Sequence, residues 1–152
     1  MALNSVSNKA KIGNNVTIGD FAVIKDDVVI GNNVKIGSNV LIDDGARISD
    51  NVTLHHGAVI STIPQDLKFK GEVTTLEIGE STVVREYATL NRGTAAGGKT
   101  VVGKNCLLMA YVHIAHDCEI GNNIIIGNAS QIAGEVKIDD FAILSGNVLV
   151  HQ

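Results

Sequence analysis

The sequence has no tryptophan, one proline and five aromatic residues in 152, three Phe and two Tyr. That scarcity excludes a core built on large planar side chains, and the single proline excludes a proline-rich linker. Two cysteines cannot make a disulfide framework. Twelve basic residues against sixteen acidic ones give a formal charge of -4, which leaves no case for a basic surface that binds nucleic acid. No N-terminal apolar run is long enough for a signal peptide or a membrane span, so the expected location is the cytoplasm.

What the chain does have is a beat of six. Aliphatic residues recur at Val6, Ile12, Ile18, Ile24, Ile30, Ile36, Ile42, Ile48, Leu54 and Ile60, then at Ile78, Val84 and Leu90, and again from Val102 through Leu108, Ile114, Ile120, Ile126, Ile132, Ile138 and Leu144 to Val150. Neither a helix nor an ordinary strand has this period, so the repeat itself must specify the fold. In a unit such as Ile30-Gly31-Asn32-Asn33-Val34-Lys35 the first residue is a large aliphatic and the fifth is small or branched. Three such units closing a triangular turn of eighteen residues bury the first and fifth positions and leave Gly and Asn at tight corners. One coil cannot bury its apolar residues alone, which makes stacking obligatory. Residues eighteen apart then lie one strand spacing, roughly 4.8 Å, above one another.

The expected product is one domain over 1–152 of about eight coils. Two segments leave the beat, at about 61–77 with Pro64 and the charges Asp66, Lys68, Lys70 and Glu72, and at about 93–101 with its glycines. Both read as excursions that replace whole or partial faces, and loops on a rigid scaffold are favoured places for ligand contacts. Cys106 and Cys118 hold interior fifth positions of different faces and read as a buried reduced pair. A three-sided prism with exposed flanks suits a closed trimer.

Reactive residue types concentrate in Ala110-Tyr111-Val112-His113-Ile114-Ala115-His116-Asp117-Cys118. Histidine transfers protons near neutrality and a neighbouring carboxylate fixes its tautomer, so His116 with Asp117, at a corner where side chains reach outward, is a candidate base with its orienting group. The alternative is plain surface histidine. His113 and His116 lack a third ligand on one face, so no metal site is assigned. Gly134 falls eighteen residues after His116 and offers a backbone amide beside it as an oxyanion donor. Glu135 falls eighteen after Asp117, and two carboxylates that close raise at least one pKa unless a cation intervenes.

The hexads resemble those of hexapeptide-repeat proteins with a left-handed parallel β-helix. Longer runs carry a narrower resemblance: Pro64-Gln65-Asp66-Leu67-Lys68-Phe69, Ile78 to Thr94, Leu107 to Cys118, Ile132-Ala133-Gly134 and Val150-His151-Gln152 are similar to the acyl-ACP:UDP-N-acetylglucosamine O-acyltransferases of lipid A synthesis. The resemblance spans essentially the whole chain. It implies an all-β prism and a homotrimer with sites between subunits. It also implies transfer of a 3-hydroxyacyl chain from acyl carrier protein to the glucosamine 3-hydroxyl, without a cofactor or metal. Carried over position by position, it makes His116 the general base, Asp117 its orienter and the Gly134 amide the oxyanion donor. Asp66, Lys68, Asn91, His113, Glu135, His151 and Gln152 become substrate-binding positions.

Three departures stand out. Glu135 and Asn91 occupy positions where members of the family have histidine, and the chain ends after Gln152 where the family continues into further coils and a helical domain. The competing functions are a related acyl or acetyl transferase with another acceptor, a noncatalytic trimeric scaffold and a metal-dependent β-helix enzyme.

Overall fold

A computed structural model describes residues 3–152, so the first two residues of the predicted 1–152 domain lie outside it. The described residues form twenty-two short strands in three parallel sheets. The first face has eight strands, from Ser5–Val6 to Leu149–Val150. The second has seven, from Lys11–Ile12 to Lys137–Ile138, and the third seven, from Thr17–Ile18 to Ile143–Leu144. Successive strands of the chain visit the three faces in turn, the left-handed parallel β-helix expected from the six-residue beat.

The register follows from the repeat. Ile24 pairs with Ile42, and Ile114 with Ile132, each eighteen residues on. Ile42, Leu54, Ile60, Ile78, Leu108 and Ile126 are all buried to within 1%. Each such side chain contributes about 1.5–3 kcal/mol by leaving water, but only because a coil lies above and another below. Coils with a neighbour on one side only show the difference: Val6 is exposed, and Ile12, Ile18, Leu144 and Val150 are partly buried. The fifth positions are interior as expected, with Thr82, Thr100 and Ser130 as polar exceptions at 0% exposure. Each of these hydroxyls has a backbone partner, since a buried hydroxyl without one is costly. Thr82 donates to the Gly103 carbonyl at 2.7 Å and Ser130 to the Ser145 carbonyl at 2.9 Å.

The corners divide their labour more sharply than the sequence reading anticipates. Among the described residues, all sixteen non-glycine residues with left-handed backbone except Ser61 occupy the fourth position of a hexad, including Tyr87, Tyr111, Asp117 and Glu135. Glycine at the second position serves another purpose. A Cβ on Gly13 would lie 2.6 Å from the Gly31 carbonyl carbon, and one on Gly19 would lie 2.6 Å from the Ser38 nitrogen. These glycines let successive coils approach, and their φ angles are ordinary.

The two excursions are inserted between faces and do not replace them, which corrects the expectation. Ile60 pairs with Leu90, thirty residues on, and Leu90 with Ile114, twenty-four on, so the extra residues bulge out while every face resumes. They consume a coil's length, which is why there are just over seven coils where about eight were expected. Both leave the prism at the edge where the chain turns from the first face to the second. One lies between Val59–Thr62 and Thr75–Ile78, the other between Thr89–Asn91 and Lys99–Val102.

Candidate active site

That same edge carries His116 and Asp117, between His113–Ile114 on the first face and Glu119–Ile120 on the second. They point away from the prism core but reach solvent far less than the corner position suggests. The side chain of His116 is 16% exposed and that of Asp117 only 4%, because the second excursion folds over them. Gly97 lies against the carboxylate so closely that a Cβ there would sit 2.6 Å from Oδ1.

Asp117 is held from three sides. The Thr94 N–H donates to Oδ1 at 2.8 Å, the Thr94 hydroxyl donates to Oδ2 at 2.6 Å, and His116 Nδ1 lies 2.8 Å from Oδ2. Burial pushes the carboxyl up, but the Thr94 and His116 hydrogen bonds outweigh it and the pKa falls below the ordinary carboxylate value. The expected repulsion from Glu135 therefore does not govern Asp117, whose carboxylate turns to Thr94. The Asp117 N–H is anchored as well, by the hydroxyl oxygen of Thr100 at 2.8 Å. Sequence reasoning missed Thr94, Gly97 and Thr100. The signal available was phase: Thr94 and Thr100 are hydroxyl residues on the beat of the apolar fifth position.

With Asp117 an anion, Nδ1 of a neutral His116 is the donor and Nε2 carries the lone pair. The ring packs on Gly134 one coil on, where a Cβ would lie 2.6 Å from both Cε1 and Nε2. The third-position amides of Asn14, Asn32, Lys104 and Asn122 are each capped by a side chain eighteen residues on. The Gly134 N–H donates to no protein acceptor among the described residues. A general base and an uncommitted amide thus share one edge.

Five of the remaining predicted residues line two concavities, and Asn91 and Gln152 line neither. Asp66, Lys68 and Glu135 line one cleft of about 230 Å³ together with Glu72 and Thr94. Its first-excursion wall is shaped by the Asp66 carboxylate accepting the Lys68 N–H at 2.9 Å. Arg92 pins the excursion, donating to the Asp44 carbonyl at 2.8 Å and lying 5.8 Å from the centre of the Phe69 ring. Asn91, 3% exposed, sits behind that wall and donates to the Thr62 hydroxyl and the Ile63 carbonyl. His113 and His151 line a separate, mainly apolar groove of about 330 Å³ on the first face, with Ala115, Ala133 and Leu149. Burial pushes the His113 imidazole below the usual histidine range, against the opposing pull of the Thr89 backbone, and the Thr89 hydroxyl lies 2.8 Å from Nδ1. Gln152 is exposed and lines neither concavity.

A larger depression of about 500 Å³ lies on the second face, reaching Asp117 from behind. Lys137 there pairs with Glu119 at 3.1 Å and Lys99 with Glu77 at 3.2 Å. No group lining it matches the His116 base, so the edge is the better candidate site. Cys106 and Cys118 are free and buried, as expected of a reduced pair. No helix among the described residues is long and apolar enough to cross a membrane.

Comparison with known proteins places this geometry. The family model for bacterial transferase hexapeptide repeats matches residues 9–44 and 99–134. An acyl-[acyl-carrier-protein]–UDP-N-acetylglucosamine O-acyltransferase of Aliarcobacter butzleri is 54% identical over 148 residues, which cover 97% of this chain and 57% of that protein. The solved UDP-N-acetylglucosamine acyltransferase of Francisella novicida superimposes with a TM-score of 0.97 at 45% identity, over 100% of this chain and 56% of that one. The enzyme of Bacteroides fragilis gives 0.94 at 52% identity, over 99% and 59%. The chain thus spans little more than half the length of these relatives. Within that span it belongs to the acyl-ACP–UDP-N-acetylglucosamine O-acyltransferase family of hexapeptide-repeat proteins.

Proposed function

We propose that the protein transfers a 3-hydroxyacyl chain from acyl carrier protein to the 3-hydroxyl of UDP-N-acetylglucosamine, the first step of lipid A synthesis, in the cytoplasm and as a homotrimer. The observation that carries this reading is the His116 imidazole, fixed by an anionic Asp117 at 2.8 Å and packed on Gly134. His116 Nε2 takes the proton of the sugar hydroxyl as its oxygen attacks the thioester carbonyl. A sugar hydroxyl is a poor nucleophile at neutral pH, and a positioned base is worth typically about 10²–10⁴-fold. The Gly134 N–H receives the developing oxyanion. As the tetrahedral intermediate collapses the C–S bond breaks and the departing thiolate takes the proton back from His116 Nε2 to leave as the carrier thiol, so no covalent enzyme intermediate, metal or cofactor is required.

Asp66 and Lys68 contact the sugar nucleotide, with the lysine suited to phosphate and the aspartate to sugar hydroxyls. Glu135 borders the same cleft and contributes to acceptor preference. Asn91 shapes the wall behind that cleft. His113 lines the substrate site, and His151 with Gln152 contributes nucleotide or sugar contacts.

The test is transfer by purified protein between defined hydroxyacyl carriers and UDP-N-acetylglucosamine. His116→Ala is expected to lose at least about 10²-fold in rate with an unchanged circular dichroism spectrum and oligomeric state. A variant as fast as the parent removes His116 from its role, and a parent inactive with every carrier and UDP-amino sugar removes the reaction.

A further inference from the structure

Resting on that reading, we infer that Thr94 is a positioning residue: it clamps Asp117 in the orientation that aims His116, and in doing so ties the second excursion shut over the pair. Four contacts meet at this one threonine. Its N–H and hydroxyl take both oxygens of the carboxylate, at 2.8 and 2.6 Å. Its hydroxyl oxygen accepts the Ala96 N–H at 3.2 Å and its carbonyl accepts the Gly98 N–H at 2.7 Å, which closes the excursion into a turn. Two glycines let the turn seat itself: a Cβ on Gly97 would strike Asp117, and one on Gly93 would lie 2.6 Å from the Lys99 Cα.

The geometry separates positioning from simple packing. Asp117 Oδ2 serves two donors, the Thr94 hydroxyl and His116 Nδ1. The threonine therefore fixes where the oxygen used by the imidazole lies. Without the hydroxyl the carboxylate keeps the Thr94 N–H on Oδ1 as its one anchor outside the His116–Asp117 pair, and Oδ2 is left with the imidazole alone, free to shift with it. The imidazole would then lose its alignment over Gly134. The charged groups around Asp117 are His116 on its own corner, Lys99 and Glu119 on the second face, Lys137 and Glu135 on the next coil, and Asp139 and Asp140 across the depression on the second face. Of these only His116 is within hydrogen-bonding distance of the carboxylate.

The experiment compares Thr94→Val, which keeps the shape and the backbone N–H, with Thr94→Ser, which keeps the hydroxyl. Two measurements are made on each full chain: the carboxyl ¹³C titration of Asp117 and steady-state transfer kinetics. Thr94→Val is expected to raise the Asp117 midpoint toward the ordinary carboxylate value. It should also lower kcat by roughly tenfold, the scale of one lost charged hydrogen bond, with KM for both substrates within about twofold. Thr94→Ser should return the titration to that of the parent and recover most of the lost rate.

An unchanged Asp117 midpoint in Thr94→Val refutes the clamp. A shifted midpoint with parent-like kcat refutes the positioning role, and so does a serine variant as slow as the valine one. The carboxyl titration does not depend on turnover. If His116→Ala were found to turn over normally, the functional reading would fail on that result alone and the titration would still decide the clamp.

Discussion

Gly134→Ala isolates catalysis from folding at a single methyl group. The backbone at Gly134 lies outside the left-handed region, so alanine is conformationally acceptable there. The added Cβ would meet His116 Cε1 and Nε2 at 2.6 Å. Carbon contacts are comfortable from about 3.5 Å, so the ring must retreat by about 0.9 Å, tilting off the Gly134 amide or stretching its 2.8 Å bond to Asp117. A misplacement of about 1 Å at a reacting centre costs on the order of 10²-fold, which is the expected fall in kcat. Stability should hardly move. Glycine to alanine at a permissive site gains about 0.4–1 kcal/mol through the unfolded chain, and the displaced ring offsets some of that.

Gly79→Ala is the control. Its Cβ would lie 2.6 Å from the Gly103 carbonyl oxygen and 2.8 Å from the Lys104 nitrogen, so the backbones of neighbouring coils must separate. Overpacking of that kind costs about 1–3 kcal/mol, or several degrees in Tm at about 2–4 °C per kcal/mol. Paired thermal melts and transfer assays on the two variants decide the matter. Parent-like turnover in Gly134→Ala, or a loss of turnover explained by a lowered Tm, would refute the reasoning.

Two further expectations follow from the titrating groups. The folded-state pKa of Asp117 is lowered, so its contribution to stability is complete above the ordinary carboxylate value of about 3.9 and is lost as pH falls through the folded-state pKa. Asp117→Asn should accordingly flatten the acid side of the Tm-against-pH curve, and parallel curves for variant and parent would contradict that. Burial pushes the Cys118 thiol up to about 11 and raises that of Cys106, so neither should react with a thiol reagent at about pH 8 until the protein is denatured. Stoichiometric labelling of the native protein would count against the buried placement.

The part of this structure legible in the sequence is the part governed by stacking. Ile24, Ile42 and Ile60 announce a face because the only partner each can have lies one coil away, and the same rule puts Gly134 beside His116. Two things escape that rule. Corner glycines look alike in sequence, yet Gly13 admits a neighbouring backbone and Gly57 supplies a positive φ of 70°. Within an inserted loop, separation along the chain no longer fixes height on the prism, so nothing in the spacing of Thr94 and Asp117 reveals that they touch. For the same reason the sequence could group Asp66, Lys68, His113 and His151 only by resemblance, whereas the structure divides them between a cleft and a groove.

Where the insertions sit has a consequence for the frame that carries them. The edge between the second and third faces is laced by side chains reaching from coil to coil, as in Asn14 to Asn32, Asn32 to Asp50 and Asn122 to Asp140. The edge that carries His116 absorbs twelve extra residues in one place and six in another while every strand keeps its partner. The excursions thus add length beside His116 and Asp117 while the stacked frame keeps its pairing.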